Sequence, residues 1–199
     1  MTRTKDLDRE EALLAAMGVF WKHGYGGTSV QHLVSAMGIH RANLYEVFGS
    51  KEELFGAVVT HYTEQYMVTL MQPFGGNGEF PQDRSVVAAI GEVLDLVEAA
   101  VVHPERPGCL VETAIICHGQ ELGKATEACD AHLTRVGGKF DEVLRAGQER
   151  GELRQDCSRD ELAFMLRGAF CAMSSGARLD GSAVAAAAIR QGVMRAIKP

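Results

Sequence analysis

Helical periodicity is the feature that most constrains this chain. Apolar residues recur at the i, i+3, i+4, i+7 spacing along nearly its whole length, as they do at Leu13, Ala16, Met17 and Phe20. This spacing buries one stripe of an α-helix. We find no convincing alternation of apolar and polar residues of the kind that marks a strand. The sequence therefore predicts an all-α protein.

Caps and helix breakers divide the chain into about nine helices. Gly24 and Gly38 suit the left-handed position after a helix end, and Thr28 with Gln31 has the spacing of a capping box. The glycine- and proline-rich residues 73–82 suit no helix interior and are expected to form a loop. The predicted helices cover residues 8–23, 28–37, 39–48, 51–71, 85–102, 108–118, 122–150, 158–175 and 182–197.

The first three helices have the arrangement of a helix-turn-helix, in residues 1–50. Such a unit places one helix in the major groove of DNA, so the outward side chains of that helix must be polar. His40, Arg41 and Asn43 meet this condition and are the predicted base readers. Arginine pairs with guanine and asparagine with adenine. The small side chain of Ala42 allows the helix to approach the wall of the groove closely.

Phosphate contacts are expected around these readers, because backbone contacts fix the register of a protein on DNA. Thr28 and Ser29 lie at a helix N-terminus, where free N–H groups and the helix dipole favour an anion. Lys51 lies in the first turn of the fourth helix, and Tyr45 supplies a phenol at the outer end of the third. These four residues are the predicted phosphate contacts.

The charge distribution is compatible with a DNA partner only at the N-terminus. The formal charge of −6 would by itself disfavour one. Residues 1–51, however, hold six Lys/Arg and five Asp/Glu, against 14 and 21 in the remainder. Arg3 and Lys5, in an N-terminal arm, would add nonspecific or minor-groove contacts.

Several other classes of protein are disfavoured. The apolar runs, such as residues 183–189, are far shorter than the roughly 18 to 20 residues that span a bilayer. The N-terminus turns acidic where a secretory signal would turn apolar, so we expect a cytoplasmic protein. No triad, phosphate-binding glycine loop or assignable carboxylate pair is evident, so we expect neither an enzyme nor a cofactor.

The cysteines do not suggest a disulfide framework or a zinc knuckle, because their number is odd and no C-x-x-C pair occurs. A metal site at Cys129 and His132, which share a helix face, is only weakly suggested, and we predict none. The five cysteines are Cys109, Cys117, Cys129, Cys157 and Cys171.

The stretch "AMGVFWKHGYGGTSVQHLVSAMGIHRANLYEVFGSKEELF", residues 16–55, resembles the DNA-binding domain of the TetR/AcrR family of transcriptional regulators. The glycine-rich step before the threonine, the "LY" pair and the "SKE" carry the resemblance, which extends over about residues 8–62. It implies a homodimer in which a C-terminal helical domain binds a small molecule and changes the spacing of two DNA-binding heads.

The same resemblance implies roles for individual residues. It puts Thr28, Tyr45 and Lys51 at phosphate-contacting positions, and the three predicted readers at base-reading ones. His40 departs from the small hydroxyl residue common at its position, which leaves the operator sequence open. The implied division is a DNA-binding domain in residues 1–50, a linking helix in 51–71, and a ligand-binding and dimerisation domain in 72–199.

The last two helices are the predicted dimer interface. One reading helix contacts only a few base pairs, so two heads on half-sites about 34 to 36 Å apart bind more tightly. Packed against their symmetry mates, the two helices would form a four-helix bundle. The alternative is that both helices bury these faces within one chain. The predicted interface residues are Leu162, Met165, Leu166, Ala169, Phe170, Met173, Val184, Ala188, Ile189 and Val193.

The predicted ligand pocket lies among the helices between residues 85 and 150. Cys109 is the middle residue of a "GCL" sequence that resembles a subgroup of the family with electrophile- and redox-sensing repressors. At a helix N-terminus and near Arg106, its thiol pKa would be lowered; the alternative is a buried, inert cysteine. The predicted wall consists of Val93, Leu96, Val97, Cys109, Leu110, Ile115 and Phe140.

Together these patterns predict a one-component transcriptional regulator, a repressor rather than an activator. It would bind a palindromic operator as a homodimer and leave it when a small-molecule effector binds. The alternative is that the same head is switched by covalent modification of Cys109.

Overall fold

The computed structural model describes residues 8–106, 108–176 and 182–199, all of them in helices, turns and connecting segments. Arg3 and Lys5 lie outside these ranges. The helices are α1 Arg9–Gly27, α2 Val30–Met37, α3 Arg41–Phe48, α4 Lys51–Tyr62, α5 Val68–Leu70, α6 Val86–Val101, α7 Leu110–His118, α8 Thr126–Glu149, α9 Arg159–Gly176 and α10 Ser182–Ala196. A π-helical turn at Thr63–Met67 joins α4 and α5 into one continuous helix. Counted in this way, the described part of the chain contains nine helices, as predicted.

The cap of α2 corrects the sequence prediction by one residue. Ser29, not Thr28, caps this helix: its Oγ accepts from the backbone N–H of His32 at 3.1 Å, and its own N–H donates to His32 Nδ1. Thr28 is only 2% exposed, and its hydroxyl donates to the carbonyl of Gly24 at 2.6 Å. Gly24 has a φ of 69°, so the chain bends there before α2 begins. The bend turns the Thr28 side chain inward and leaves Ser29 at the helix start.

A compact aromatic core holds α3 in place. Phe20 of α1 and Phe55 of α4 are fully buried and pack edge to face, with 4.8 Å between ring centroids. Leu44 and Phe48 are the buried residues of α3. Because these two side chains point into the core, the remaining surface of α3 is available to a partner.

The packing of α9 and α10 shows that much of the predicted dimer interface is wrong. Five of its residues are buried within the chain itself, because α9 packs on α6, α7, α8 and α10. The alternative of burial within one chain is therefore correct for Leu162, Leu166, Phe170, Met173 and Val193.

Other predicted interface residues remain accessible. Met165, Ala169 and Ile189 are half-buried, while Val184 and Ala188 are exposed. Phe164, which was not among the predicted interface residues, is 75% exposed, and Val184 is 76% exposed. Within the described ranges, no helix has both the length and the apolar character needed to cross a membrane.

Candidate nucleic-acid interface and ligand cavity

The outer face of α3 presents a cation and a phenol that already contact each other. Arg41 and Tyr45 are both exposed, and Arg41 Nη2 donates to Tyr45 Oη at 3.2 Å. The guanidinium also lies 5.6 Å from the centre of the Tyr45 ring. Tyr45 is therefore not a core residue, and its ring supports the side chain predicted to read a base.

The other predicted readers lie beside this pair. His40 is the N-cap residue of α3 and is exposed, and its side chain makes no capping hydrogen bond. Ala42 is exposed and Asn43 is half-buried. The structure thus brings all four predicted base-facing residues into the first turn of α3 or directly before it.

The residues predicted to contact phosphates differ in how accessible their side chains are. Ser29 is exposed at the start of α2, next to the free N–H groups of that helix. Lys51 is half-buried, with its Nζ 4.4 Å from the centre of the Tyr25 ring, and burial lowers the pKa of its ammonium group. Thr28 does not fit a phosphate contact in this conformation, because its side chain is buried and its hydroxyl is used by Gly24.

A cavity of about 340 Å³ lies inside the C-terminal part, between the π-helical turn and helices α5 to α9. Four of the predicted wall residues line it: Val97, Cys109, Ile115 and Phe140.

Three predicted wall residues do not line this cavity. Val93 is fully buried and Leu110 is 4% exposed, and neither lines this cavity. Leu96 is 42% exposed. Adjacent helical positions differ by about 100° in direction, so the turn of α6 that brings Val97 to the cavity points Leu96 to the surface.

Four polar residues of the cavity were not predicted to line it: Glu112, His132, Arg167 and Ser174. Glu112 lies three positions after Cys109 and hence on the same face of α7. This spacing could have been used to predict that Glu112 lines the cavity. His132 entered the sequence predictions only as a weakly suggested metal ligand. In the structure its Nδ1 lies 2.8 Å from the hydroxyl oxygen of Thr63.

The environment of Cys109 contradicts the predicted low pKa. Burial, together with the nearby negative charge of Glu112, raises the pKa of this thiol to about 11, and Tyr62 Oη donates to Sγ at 3.4 Å. Arg106 does not offset this effect, because its guanidinium donates to Tyr66 Oη at 3.3 Å. The effect of burial exceeds that of the helix N-terminus on which the prediction relied.

Helix α7 connects the cavity to the head formed by α1 to α3. Cys109, at the N-terminus of α7, lines the cavity. His118, at the C-terminal end, accepts a hydrogen bond at Nε2 from the backbone N–H of Gly26, at 3.2 Å. Trp21 Nε1 on α1 donates to the carbonyl of Gly108 at 3.3 Å. These two hydrogen bonds link both ends of α7 to α1.

Two family models match the chain. Residues 12–58 match the bacterial regulatory proteins of the tetR family, and residues 84–193 match the tetracyclin repressor-like C-terminal domain. The chain belongs to the TetR family. It is a DNA-binding transcriptional regulator and not an enzyme.

Similar proteins agree with this assignment. The chain is 28% identical to the HTH-type transcriptional repressor ComR of Escherichia coli over 88% of its own length and 82% of that repressor. It is 34% identical to the HTH-type transcriptional regulator YezE of Bacillus subtilis over 77% of its length and 76% of YezE.

Solved structures agree as well. A cysteine-substituted form of the TetR family regulator CifR, in complex with a 26-bp double-stranded operator DNA, has a TM-score of 0.82 and 30% identity, over 98% of this chain and 99% of that one. Reduced NemR of E. coli, at 18% identity over 96% and 97% of the two chains, shares the fold with a TM-score of 0.80.

Proposed function

We propose that this protein is a homodimeric repressor that binds a palindromic operator and is released from it by a small molecule bound in the cavity. The observation that carries the proposal is the position of α7. One end of this helix lines the cavity at Cys109, and the other holds the backbone of Gly26 just before α2. A ligand that moves α7 also changes the position of the DNA-binding head formed by α1 to α3. Effector binding and DNA binding are therefore coupled.

DNA recognition is assigned to the exposed face of α3. Arg41 and Asn43 read base edges in the major groove, with His40 and Ala42 beside them, as expected for a recognition helix. Tyr45, Ser29 and Lys51 contact the phosphates on either side. Because its partner is the chromosome, we place the protein in the cytoplasm.

The dimer interface is assigned to residues that the protomer leaves accessible. On α9, Phe164, Gly168 and Ala172 are exposed at four-residue spacing, and on α10 Val184 and Ala188 are exposed at the same spacing. We call these five residues the exposed stripe. Exposed apolar residues at helical spacing, with small residues that permit close helix approach, are typical of a self-association surface.

Selection of duplexes from a random library tests the proposal, because the selection itself finds the sequence that the protein binds. We expect enrichment of a palindrome with half-sites about one helical turn apart, bound by two protomers, with an affinity that falls as salt rises. Enrichment of no sequence, or a monomer bound to a single half-site, would overturn it.

Covalent modification of Cys109 is the second candidate, because this thiol lines the cavity. With a pKa of about 11, only roughly one thiol in ten thousand is ionised at pH 7, and the thiolate is the reactive form. Mass spectrometry after mild electrophile or peroxide treatment decides this point. Modification of the exposed Cys117 with Cys109 untouched would eliminate the candidate.

A further inference from the structure

Among the described residues, one buried polar atom of the cavity lacks a hydrogen-bond partner, and it is an acceptor. Most of its wall is apolar and aromatic, including Phe140 and Phe170. Glu112 Oε2 is buried and has no hydrogen-bond partner in the described part of the chain. A buried oxygen left without a donor costs about 1 to 3 kcal/mol, and more when it is charged. This cost is removed when a ligand supplies the missing donor.

Two neighbouring groups partly offset the effect of burial on Glu112. Burial is the largest influence and raises the pKa of its carboxyl group above the ordinary value, while a hydrogen bond from Ser174 and the positive charge of Arg167 act in the opposite direction. Arg167 is an exposed residue, and within the described ranges it forms no ion pair with Glu112. The carboxylate is therefore held in place while one of its oxygens remains available.

The protonation of His132 can be deduced from its neighbour. Thr63 has one hydroxyl proton, which it donates to the carbonyl of Val59 at 2.8 Å. Thr63 Oγ1 must therefore accept from His132 Nδ1, which lies 2.8 Å away. Burial lowers the pKa of this imidazole to about 4, so it is neutral at pH 7 and its single proton is on Nδ1. Nε2 is then an acceptor.

We infer that the cavity takes a small, largely apolar molecule that carries a hydrogen-bond donor, an amine or a hydroxyl group, and that Glu112 and His132 are the acceptors that select it. The volume of about 340 Å³ is at the lower end of the range for small-molecule sites. An anion is disfavoured, because it would bring a further acceptor, and not the missing donor, to Glu112 Oε2. The inference rests on the proposed function only in identifying this molecule with the effector.

Calorimetry with four probes of one shape tests the inference on the full-length protein without DNA. The probes are 4-phenylbutylamine, 4-phenylbutan-1-ol, n-butylbenzene and 4-phenylbutyrate. We expect the amine and the alcohol to bind at least tenfold more tightly than the other two. Equal affinity for all four, or preference for 4-phenylbutyrate through Arg167 or a protonated Glu112, would overturn the inference.

Two variants assign the preference to Glu112 and separate the two donor classes. Glu112→Leu removes both acceptor oxygens and should abolish the preference for donors. Glu112→Gln keeps one acceptor but no charge, so the alcohol should bind within about threefold of the parent and the amine at least tenfold more weakly. Glu127→Gln, an exposed change on α8, is the matched control. An unchanged donor preference in Glu112→Leu would refute the assignment; if that variant does not fold, Glu112→Gln and the probe series still decide.

Release of a selected duplex by the same probes separates this inference from the proposed function. Donor-selective binding by a protein that binds no duplex contradicts the proposed function alone. Duplex binding with no preference among the probes contradicts the inference alone.

Discussion

The proposed base readers on α3 come from four consecutive residues, 40–43, whereas the residues that line the cavity are scattered between positions 67 and 174. The first set is exposed except for the half-buried Asn43, and all of it except Ala42 is polar, so it requires only that α3 be held rigidly. The second depends on burial: the same packing that forms the cavity raises the pKa of Cys109 and lowers that of His132. Changes on α3 should therefore alter DNA affinity but not stability, and changes around the cavity should alter stability first.

The largest expected effect is in the core next to the cavity. Leu166→Ala should lower the free energy of unfolding by about 2 to 5 kcal/mol, since this side chain is fully buried. Urea denaturation measures the change. Val184→Ala on the exposed stripe is the comparison: it should weaken self-association in sedimentation experiments and leave protomer unfolding within about 0.5 kcal/mol of the parent. Similar unfolding costs for the two variants would contradict the division of α9 and α10 into a buried and an exposed face.

The second effect is a loss of stability in acid that originates at His132. Its pKa is about 4 in the folded protein, below the value of about 6.5 in the unfolded chain, so unfolding takes up a proton between these values. Stability is fully present above pH 6.5 and should decrease by up to about 3 kcal/mol as the pH falls to 4.

Replacement of His132 by Asn tests the source of that loss. Asn keeps an N–H donor for Thr63 but does not titrate. Urea denaturation across this pH range should show a shallower dependence for His132→Asn than for the parent, and parallel curves would show that other groups are responsible.

The third effect is confined to DNA binding. Arg41→Ala should weaken operator binding by about 1 to 3 kcal/mol for each head and relax the sequence preference at one position of each half-site. Fluorescence anisotropy with the selected duplex measures the affinity, and the melting temperature should stay within about 1 to 2 °C. Arg145→Ala removes an equally exposed charge from α8 and should leave affinity almost unchanged. If both variants lost the same operator affinity, the effect of Arg41→Ala would come from the removal of a positive charge and not from a specific contact with a base.

The smallest effect is at the junction of the two regions. His118→Ala removes the acceptor for the Gly26 N–H, a hydrogen bond with a net value of about 0.5 to 1.5 kcal/mol. Hydrogen exchange at the Gly26 amide should become several-fold faster, and operator affinity should change only slightly. His61→Ala on α4 is the control. Unchanged exchange in His118→Ala would exclude this contact from the coupling.

Much of the fold could be predicted because its determinants lie close together in the sequence. Ser50 and Ser85 cap α4 and α6, and Gly38 ends α2 in the predicted left-handed conformation. The polar face that α3 leaves accessible could be predicted for the same reason. The predicted cap at Thr28 was wrong although a cap is also a local feature, because the bend at Gly24 turns the Thr28 side chain into the core.

The sequence by itself determined the all-α class, the helix-turn-helix and the polar residues that α3 leaves accessible, since helix caps and apolar stripes depend on neighbours within about four positions. Only the tertiary structure decided which face of α9 is buried, which polar groups meet in the cavity, and that Cys109 is a thiol with a high pKa. The reason is physical: a helix with apolar residues on two sides can pack through either, and desolvation depends on groups distant in the chain.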